Sequence, residues 1–338
     1  MNYTTIGIDL AQSIFAVVIL NQAGKVMKRK LIQRAQLLDF IARYEGVVAM
    51  EACGGAHHWA RTLGKMGREV ILLPPQHVKA YLRGQKNDYN DAQAIAEACQ
   101  HGRIRPVTVK SVQQQDQQSL HRVREQVQKD RHGLYCHIRG LLSEYGLIIP
   151  RGTAALRRQL PCLLEEANNG LSDPMRALLH RQYGRLLALE EELAWHDQQL
   201  KEAVKQDACC QRLLEVPGIG PVVSSVLCSW MGDGQQFSRG RDAAAALGLI
   251  PKQHSSGGKQ VLLGITKRGN GQVRAQVVHG ARSVVSRIGD KQDSLSGWIR
   301  GLIERRGFNK AVIALANKLV RMAWVIICRG ETYRPRFT

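Results

Sequence analysis

Two short apolar runs, each closed by an acid, constrain the first hundred residues most strongly. Tyr3-Thr4-Thr5-Ile6-Gly7-Ile8 ends at Asp9, and Val47-Val48-Ala49-Met50 ends at Glu51. Apolar runs this short, bounded by polar residues, read as central strands buried on both faces. Ile14–Leu20 is rich in β-formers, Asn21-Gln22-Ala23-Gly24 is a turn, and Lys25–Ile32 returns as a third strand. Glu69–Leu73 is a further buried strand, stopped by Pro74-Pro75, while helical spacing occupies Leu37–Tyr44, His57–Gly67 and Ala92–Cys99. Three strands followed by alternating helix and strand predict a mixed α/β sheet with an antiparallel hairpin at one side.

Beyond residue 112 the pattern becomes helical. Leu120, Val123, Val127, Leu134, Ile138, Leu141 and Tyr145 recur at helical intervals, as do Leu186, Leu189, Leu193, Leu200 and Val204. Pro150-Arg151-Gly152 and Asn168-Asn169-Gly170 break the chain between these stretches, so the two long helices are expected to pack as an antiparallel pair or a coiled coil, usually a spacer or oligomerisation element. Residues 206–338 form a third region, with helices at Val222–Trp230, Ala243–Leu247, Gln272–Ser286 and Lys310–Cys328, and a segment from Ile250 to Thr266 rich in Gly, Ser, Lys and Gln. The expected class is α/β plus all-α, with domains at 1–106, 107–205 and 206–338.

The 338 residues carry 48 basic and 28 acidic side chains, a net charge of +20. By count, about +6 falls in residues 1–106, +2 in 107–205 and +12 in 206–338. Such an excess points to a polyanion, most commonly nucleic acid. The eight cysteines form no C-x-x-C and no zinc spacing, which suits buried thiols in a reducing compartment. Met1 runs almost directly into a strand, so no signal peptide is expected. Ala311–Cys328 is interrupted by Asn317, Lys318 and Arg321 and reads as a core helix, not a membrane span. The five tryptophans are expected in the core, and the pair His57-His58 is expected to cap or pack.

The chemistry centres on acids. Asp9 and Glu51 end strands, and Asp88 and Asp91 fall in Lys86-Asn87-Asp88-Tyr89-Asn90-Asp91-Ala92, three apart on one helical face. Phosphodiester chemistry with two divalent ions about 3.5–4 Å apart needs several such carboxylates to converge. Singly, each has a plainer role: Asp9 in a turn, Glu51 paired with Arg61, Asp88 or Asp91 as a helix N-cap. Pro217-Gly218-Ile219-Gly220 between two helices can expose N–H groups to phosphate through Gly218 and Gly220, or be a plain turn. In His254-Ser255-Ser256-Gly257-Gly258-Lys259, with Lys267 and Arg268 nearby, a serine can act as nucleophile or merely donate hydrogen bonds to phosphate. Spacing favours the latter and does not choose Ser255 over Ser256.

Gly7-Ile8-Asp9, Met50-Glu51-Ala52, Lys86 to Ala92, Val216-Pro217-Gly218-Ile219-Gly220, and Leu249-Ile250-Pro251 followed by Ser255 to Lys259 together resemble a known family, over nearly the whole chain. It is similar to the DEDD transposases related to the Piv and MooV invertases, insertion-sequence recombinases guided by a bridge RNA. The resemblance implies a RuvC-like N-terminal domain (an RNase H fold) whose tetrad Asp9, Glu51, Asp88 and Asp91 binds Mg²⁺, or Mn²⁺ in its place. It implies a coiled coil used in assembly and a C-terminal transposase domain with a helix-hairpin-helix motif and a serine nucleophile. In the family that serine directly precedes a glycine, which selects Ser256, with Ser255 beside it. The two domains would meet across subunits of a homo-oligomer, a dimer assembling to a tetramer. Donor and target duplex DNA and a structured non-coding RNA would be the partners, in the bacterial cytoplasm at the nucleoid and away from membranes. Rival readings are a junction nuclease lacking the serine step, a DNA invertase without RNA guide, a non-enzymatic nucleic-acid-binding protein and an actin-like ATPase. For the last, Ala11-Gln12-Ser13-Ile14 is a poor phosphate loop.

Overall fold

The computed structural model describes residues 4–85, 87–102 and 104–335, so Tyr3 and Lys86 of the motifs above lie outside the described residues. The chain divides into two compact units, at Val112/Gln113.

The first unit is a five-stranded sheet. Strands β1 (Thr5–Asp9), β2 (Ile14–Leu20) and β3 (Val26–Gln33) form an antiparallel meander. Helix α1 (Leu37–Ala42) leads to β4 (Val47–Glu51), and α2 (Ala56–Lys65) leads to β5 (Val70–Leu73). The order is β3-β2-β1-β4-β5, with β1, β4 and β5 parallel. The short helix α3 (Pro75–Val78) and α4 (Asp88–Gln100) complete the unit. Strand periodicity sorts the residues onto two faces. Ile6, Ile8, Val48 and Met50 pack with Phe40, Trp59 and Leu63 under α1 and α2. On the other face Ala16, Val18 and Leu20 meet Ala92 and Ala96 of α4, and Ala49 meets Ala94 and Ile95. The edge strand β3 is exposed over Lys28, Arg29 and Lys30, charges that oppose edge-to-edge pairing.

The second unit is helical apart from one hairpin. Helices α5 (Val112–Ser143), α6 (Thr153–Glu165) and α7 (Asp173–Gln206) form an arm. In it, α5 and α7 run antiparallel: Arg124 Nε donates to Asp197 Oδ1 at 2.6 Å, while Ile138 and Leu142 share a core with Leu179 and Leu186. The breaks at 150–152 and 168–170 bracket α6, a helix not among those expected, whose Leu156, Leu160, Leu163 and Leu164 lie at helical spacing and fill the far end of this core. At the near end, Leu200 and Val204 of α7 join the C-terminal core instead. That core is built from α8 (Ala208–Leu214), α9 (Pro221–Met231), α10 (Gly240–Ala246), the hairpin strands β6 (Pro251–Gln253) and β7 (Leu262–Ile265), α11 (Gly271–Ser286), α12 (Ser294–Arg306) and α13 (Phe308–Arg329). Helix α13 is long and apolar enough to cross a membrane by composition, yet Ala311, Val312, Leu315, Ala316, Leu319, Val320, Ala323 and Ile326 are buried among the other helices. It serves as their central packing element.

Two expectations need correction. Trp195 on α7 is 57% exposed and not core, because it lies off the α7 stripe of Leu186, Leu193 and Leu200. Cys53, Cys136 and Cys162 are exposed, so buried thiols describe only part of the set.

His121 ties α5 to α9. Its ring lies 3.0 Å from Ser225 Oγ and is buried, and burial first, then the nearby Arg124 charge, pushes its pKa down to about 4. The folded state therefore holds this imidazole neutral, while the unfolded chain takes up a proton below pH 6.5. Stability is expected to fall as pH drops from about 6.5 towards 4, by about 3 kcal/mol at most. Urea midpoints across that range check this; in His121→Gln the dependence should flatten.

Candidate active site

The four carboxylates are brought to one end of the sheet by strand register and by the path of α4. Strands β1 and β4 pair in parallel up to Ile8 and Met50, so Asp9 and Glu51 follow side by side. Thr5, Gly7 and Asp9 share a face, the one covered by α4. Gln100 Nε2, at the end of α4, lies 3.3 Å from Thr5 Oγ1. A Cβ on Gly7 would overlap the Ala92 carbonyl oxygen and stand 2.8 Å from Ala96 Cβ. Helix α4 therefore runs antiparallel to β1 in backbone contact. One turn before Ala92, a rise of about 5–6 Å, matches the two residues from Gly7 to Asp9. The first turn of α4, carrying Asp88 and Asp91, thus lies at the Asp9 end.

The N-cap of α4 is Asn87, whose side chain accepts from Asn90 N at 2.9 Å, so neither aspartate is needed for capping. Asp9, Glu51 and Asp91 are half-buried and Asp88 is exposed. Arg61, proposed above as a partner for Glu51, donates through Nη1 to the Lys110 carbonyl at 2.7 Å. Although Cys53 is exposed as a residue, its sulfur is partly covered, and that desolvation first, then the Glu51 and Asp9 charges, raises the pKa of its thiol. A set of hard carboxylate oxygens, partly open to water, fits Mg²⁺ or Mn²⁺.

The carboxylates are not drawn together as closely as metal ligands. Among the described residues, the group of three donor atoms within 4.8 Å of one another is Asp207, Cys210 and Cys228. Asp207 is the N-cap of α8, accepting from Cys209 N at 2.8 Å and Cys210 N at 3.1 Å. Cys228 Sγ lies 3.3 Å from Cys209 Sγ, and that contact, with burial, keeps its thiol protonated far above the usual range. Capping and core packing account for this group, and its soft donors do not suit Mg²⁺.

The serines sit in the exposed hairpin formed by β6 and β7. Ser256 N donates to Lys259 O at 3.3 Å and Lys259 N to Ser256 O at 3.0 Å, closing a two-residue turn. Gly257 and Gly258 have φ of 55° and 75°, the left-handed pair that a tight hairpin turn requires. That glycine pair was the available signal for the hairpin. Ser255 Oγ accepts from Gln253 Nε2 at 2.9 Å, whereas among the described residues the exposed Ser256 hydroxyl makes no hydrogen bond. Lys259, Lys267 and Arg268 are exposed on the hairpin and at its base. Lys267 holds φ 55° despite its side chain, at a cost of about 1–2 kcal/mol.

Between α8 and α9 the two glycines differ. Gly218, with φ 90°, packs against α11: a Cβ would stand 2.8 Å from Val284 Cγ2, and a Cβ on Gly280 would overlap Gly218 O. Close packing explains that glycine. Gly220 is exposed at the N-cap of α9, with open space around it.

Residues 6–147 match the DEDD transposase family of the IS110 type, and residues 210–295 match the family described as transposase IS116/IS110/IS902. The chain is 43% identical over 330 residues to the transposase for insertion sequence element IS1111A of Coxiella burnetii, covering 97% of this chain and 91% of that one. It is 44% identical over 337 residues to a probable family 20 transposase of Pseudomonas aeruginosa, covering 99% and 100%. It is 36% identical over 333 residues to the transposase for insertion sequence element IS1328 of Yersinia enterocolitica, covering 98% and 99%. The chain belongs to the IS116/IS110/IS902 transposase family. It is an enzyme of DNA cleavage and strand transfer, and its DEDD character points to a divalent metal.

Proposed function

We propose that the enzyme exchanges strands between donor and target DNA under the guidance of a structured bridge RNA, using a metal-dependent carboxylate tetrad and a serine nucleophile. The observation that carries this reading is the convergence of strand register and helix path on Asp9, Glu51, Asp88 and Asp91. These residues would hold Mg²⁺ or Mn²⁺, which when bound neutralises phosphate charge and polarises the phosphoryl oxygen. Ser256 Oγ attacks phosphorus, the bond to the 3′-oxygen breaks, and that oxygen leaves as a hydroxyl after taking a proton. The 3′-hydroxyl of the other duplex then attacks the phosphoserine diester and releases Ser256 with its proton. Each step replaces one phosphoester bond by another, so no ATP is consumed. Two rounds pass through a four-way junction.

Residues 1–106 are read as a RuvC-like domain, supported by the mixed sheet. Residues 107–205 are read as the assembly element of a dimer or tetramer, and 206–338 as the transposase domain. There α8 and α9 would form a helix-hairpin-helix, with Gly218, Gly220, Lys259, Lys267 and Arg268 as nucleic-acid contacts. Base pairing with the RNA would choose sequence while the protein grips backbone. The setting is the bacterial cytoplasm at the nucleoid. Ser256→Ala is expected to abolish a detergent-resistant protein–DNA adduct on an end-labelled duplex, and Ser255→Ala to keep it. An adduct surviving Ser256→Ala would sink the serine assignment, and cleavage without any adduct would favour the junction nuclease.

A further inference from the structure

A cleft of about 550 Å³ in the C-terminal core is lined by Arg239, Arg241, Trp298, Asn317, Lys318 and Arg321. Its cationic side chains come from both the start of α10 and one stripe of α13, brought together where Gly240 packs so closely that a Cβ there would stand 3.1 Å from the Arg321 backbone. Among the described residues no acidic side chain lines it, and α13 contains no Asp or Glu at all. Among the described residues none of the four cations forms an ion pair with a carboxylate. Lys318 Nζ instead rests 4.5 Å from the Trp298 ring centroid. An aromatic face positions an ammonium without cancelling its charge, as a carboxylate would. Lys318 and Arg321, three apart on one helix, repel each other mildly. Four clustered cations, without a carboxylate ion pair among the described residues, focus in a concave wall a field that attracts anions.

We infer that this cleft binds the sugar-phosphate backbone of a nucleic-acid strand through Arg239, Arg241, Lys318 and Arg321, with Asn317 available to donate to a phosphate oxygen. Asn317 Nδ2 already donates to Leu249 O at 3.1 Å, which ties the cleft floor to the segment entering the serine hairpin. Helix α10 spans the gap between them, seven residues or about 10 Å. A strand held here is therefore gripped within a few nucleotides of the hairpin base. The chemistry recognised is the phosphodiester, offered by DNA or RNA alike. The inference needs only a polynucleotide partner, and neither the serine nor the metal.

The test is fluorescence anisotropy of the full chain with two probes, a 30-base-pair DNA duplex and a single-stranded RNA, over a range of KCl. Each phosphate neutralised contributes about 0.9 to the slope of log affinity against log salt for duplex DNA and about 0.7 for single strands. Arg241→Gln with Arg321→Gln is expected to weaken at least one probe tenfold or more and lower its slope by about 1–2. The probe affected identifies the strand type. Arg321→Lys should keep the slope. Thermal melting monitors folding, and Lys201→Gln with Lys205→Gln serves as a charge-matched control. An unchanged slope for both probes, or an equal loss in the control pair, overturns the inference. Strand transfer surviving Asp9→Asn would defeat the metal reading and leave this one standing.

Discussion

Asp9→Asn is expected to lower strand transfer about 10³-fold, the several kcal/mol that a divalent-metal site contributes to phosphoryl chemistry. The same change should leave folding intact. Asp9 sits half-buried beside Glu51 at the end where Asp88 and Asp91 also lie, and asparagine keeps its shape there while removing one of four like charges. Stability should stay level or rise by up to about 1 kcal/mol, the usual sign when a functional residue is neutralised. Strand transfer on a supercoiled donor and urea unfolding measure the two quantities, and Mg²⁺-dependent thermal protection should vanish with activity. Full activity in the variant would remove the tetrad from the mechanism. Lost activity with lost folding would make Asp9 a structural residue.

Gly7→Ala tests the other half of the geometry, the path of α4. A methyl at this position overlaps the Ala92 carbonyl and crowds Ala96. Both obstacles belong to the helix itself, and neither is the end of a flexible side chain, so α4 must lift. Overpacking of this kind costs about 3 kcal/mol, the upper end of the usual range. Where the variant folds, strand transfer should drop far more than stability suggests, because lifting α4 moves Asp88 and Asp91 away from Asp9 and Glu51. Gly54→Ala, with open space around it, is the control and should change the urea midpoint by less than about 0.5 kcal/mol. Equal behaviour of the two variants would show that the contact of α4 with β1 does not position the acids.

Much of this was legible in the chain. The apolar runs at Ile6–Ile8 and Val47–Met50 fall in β1 and β4, because a strand buried on both faces leaves a short continuous signal. The long stripes of Leu and Val mark α5 and α7 for the matching reason. Helix α4 begins at Asp88, four residues earlier than the apolar spacing gave, since its first turn is polar and capped by Asn87. Helix α6 carries a stripe at Leu156, Leu160 and Leu163 but is short, holds Pro161 and lies between two loop-like breaks, while the strands of the serine hairpin are exposed on both faces and lack alternation. The cationic cleft was hidden as well. Lys318 and Arg321 read only as interruptions of an apolar helix until α10 brought Arg239 and Arg241 to the same wall.

The sequence by itself determined which residue types are present and which elements they form, since hydrophobic period and turn chemistry act over a few residues. Those signals placed Asp9 and Glu51 at strand ends and two serines before a glycine pair. The tertiary structure decided proximity. It set β1 beside β4 in the register that makes Asp9 and Glu51 neighbours, and it laid α4 across Gly7 so that Asp88 and Asp91 reach the same end. It also separated Ser255, whose hydroxyl is engaged by Gln253, from the exposed Ser256, whose hydroxyl makes no hydrogen bond among the described residues. Such contacts depend on packing between segments distant in the chain, and local pattern carries no record of them.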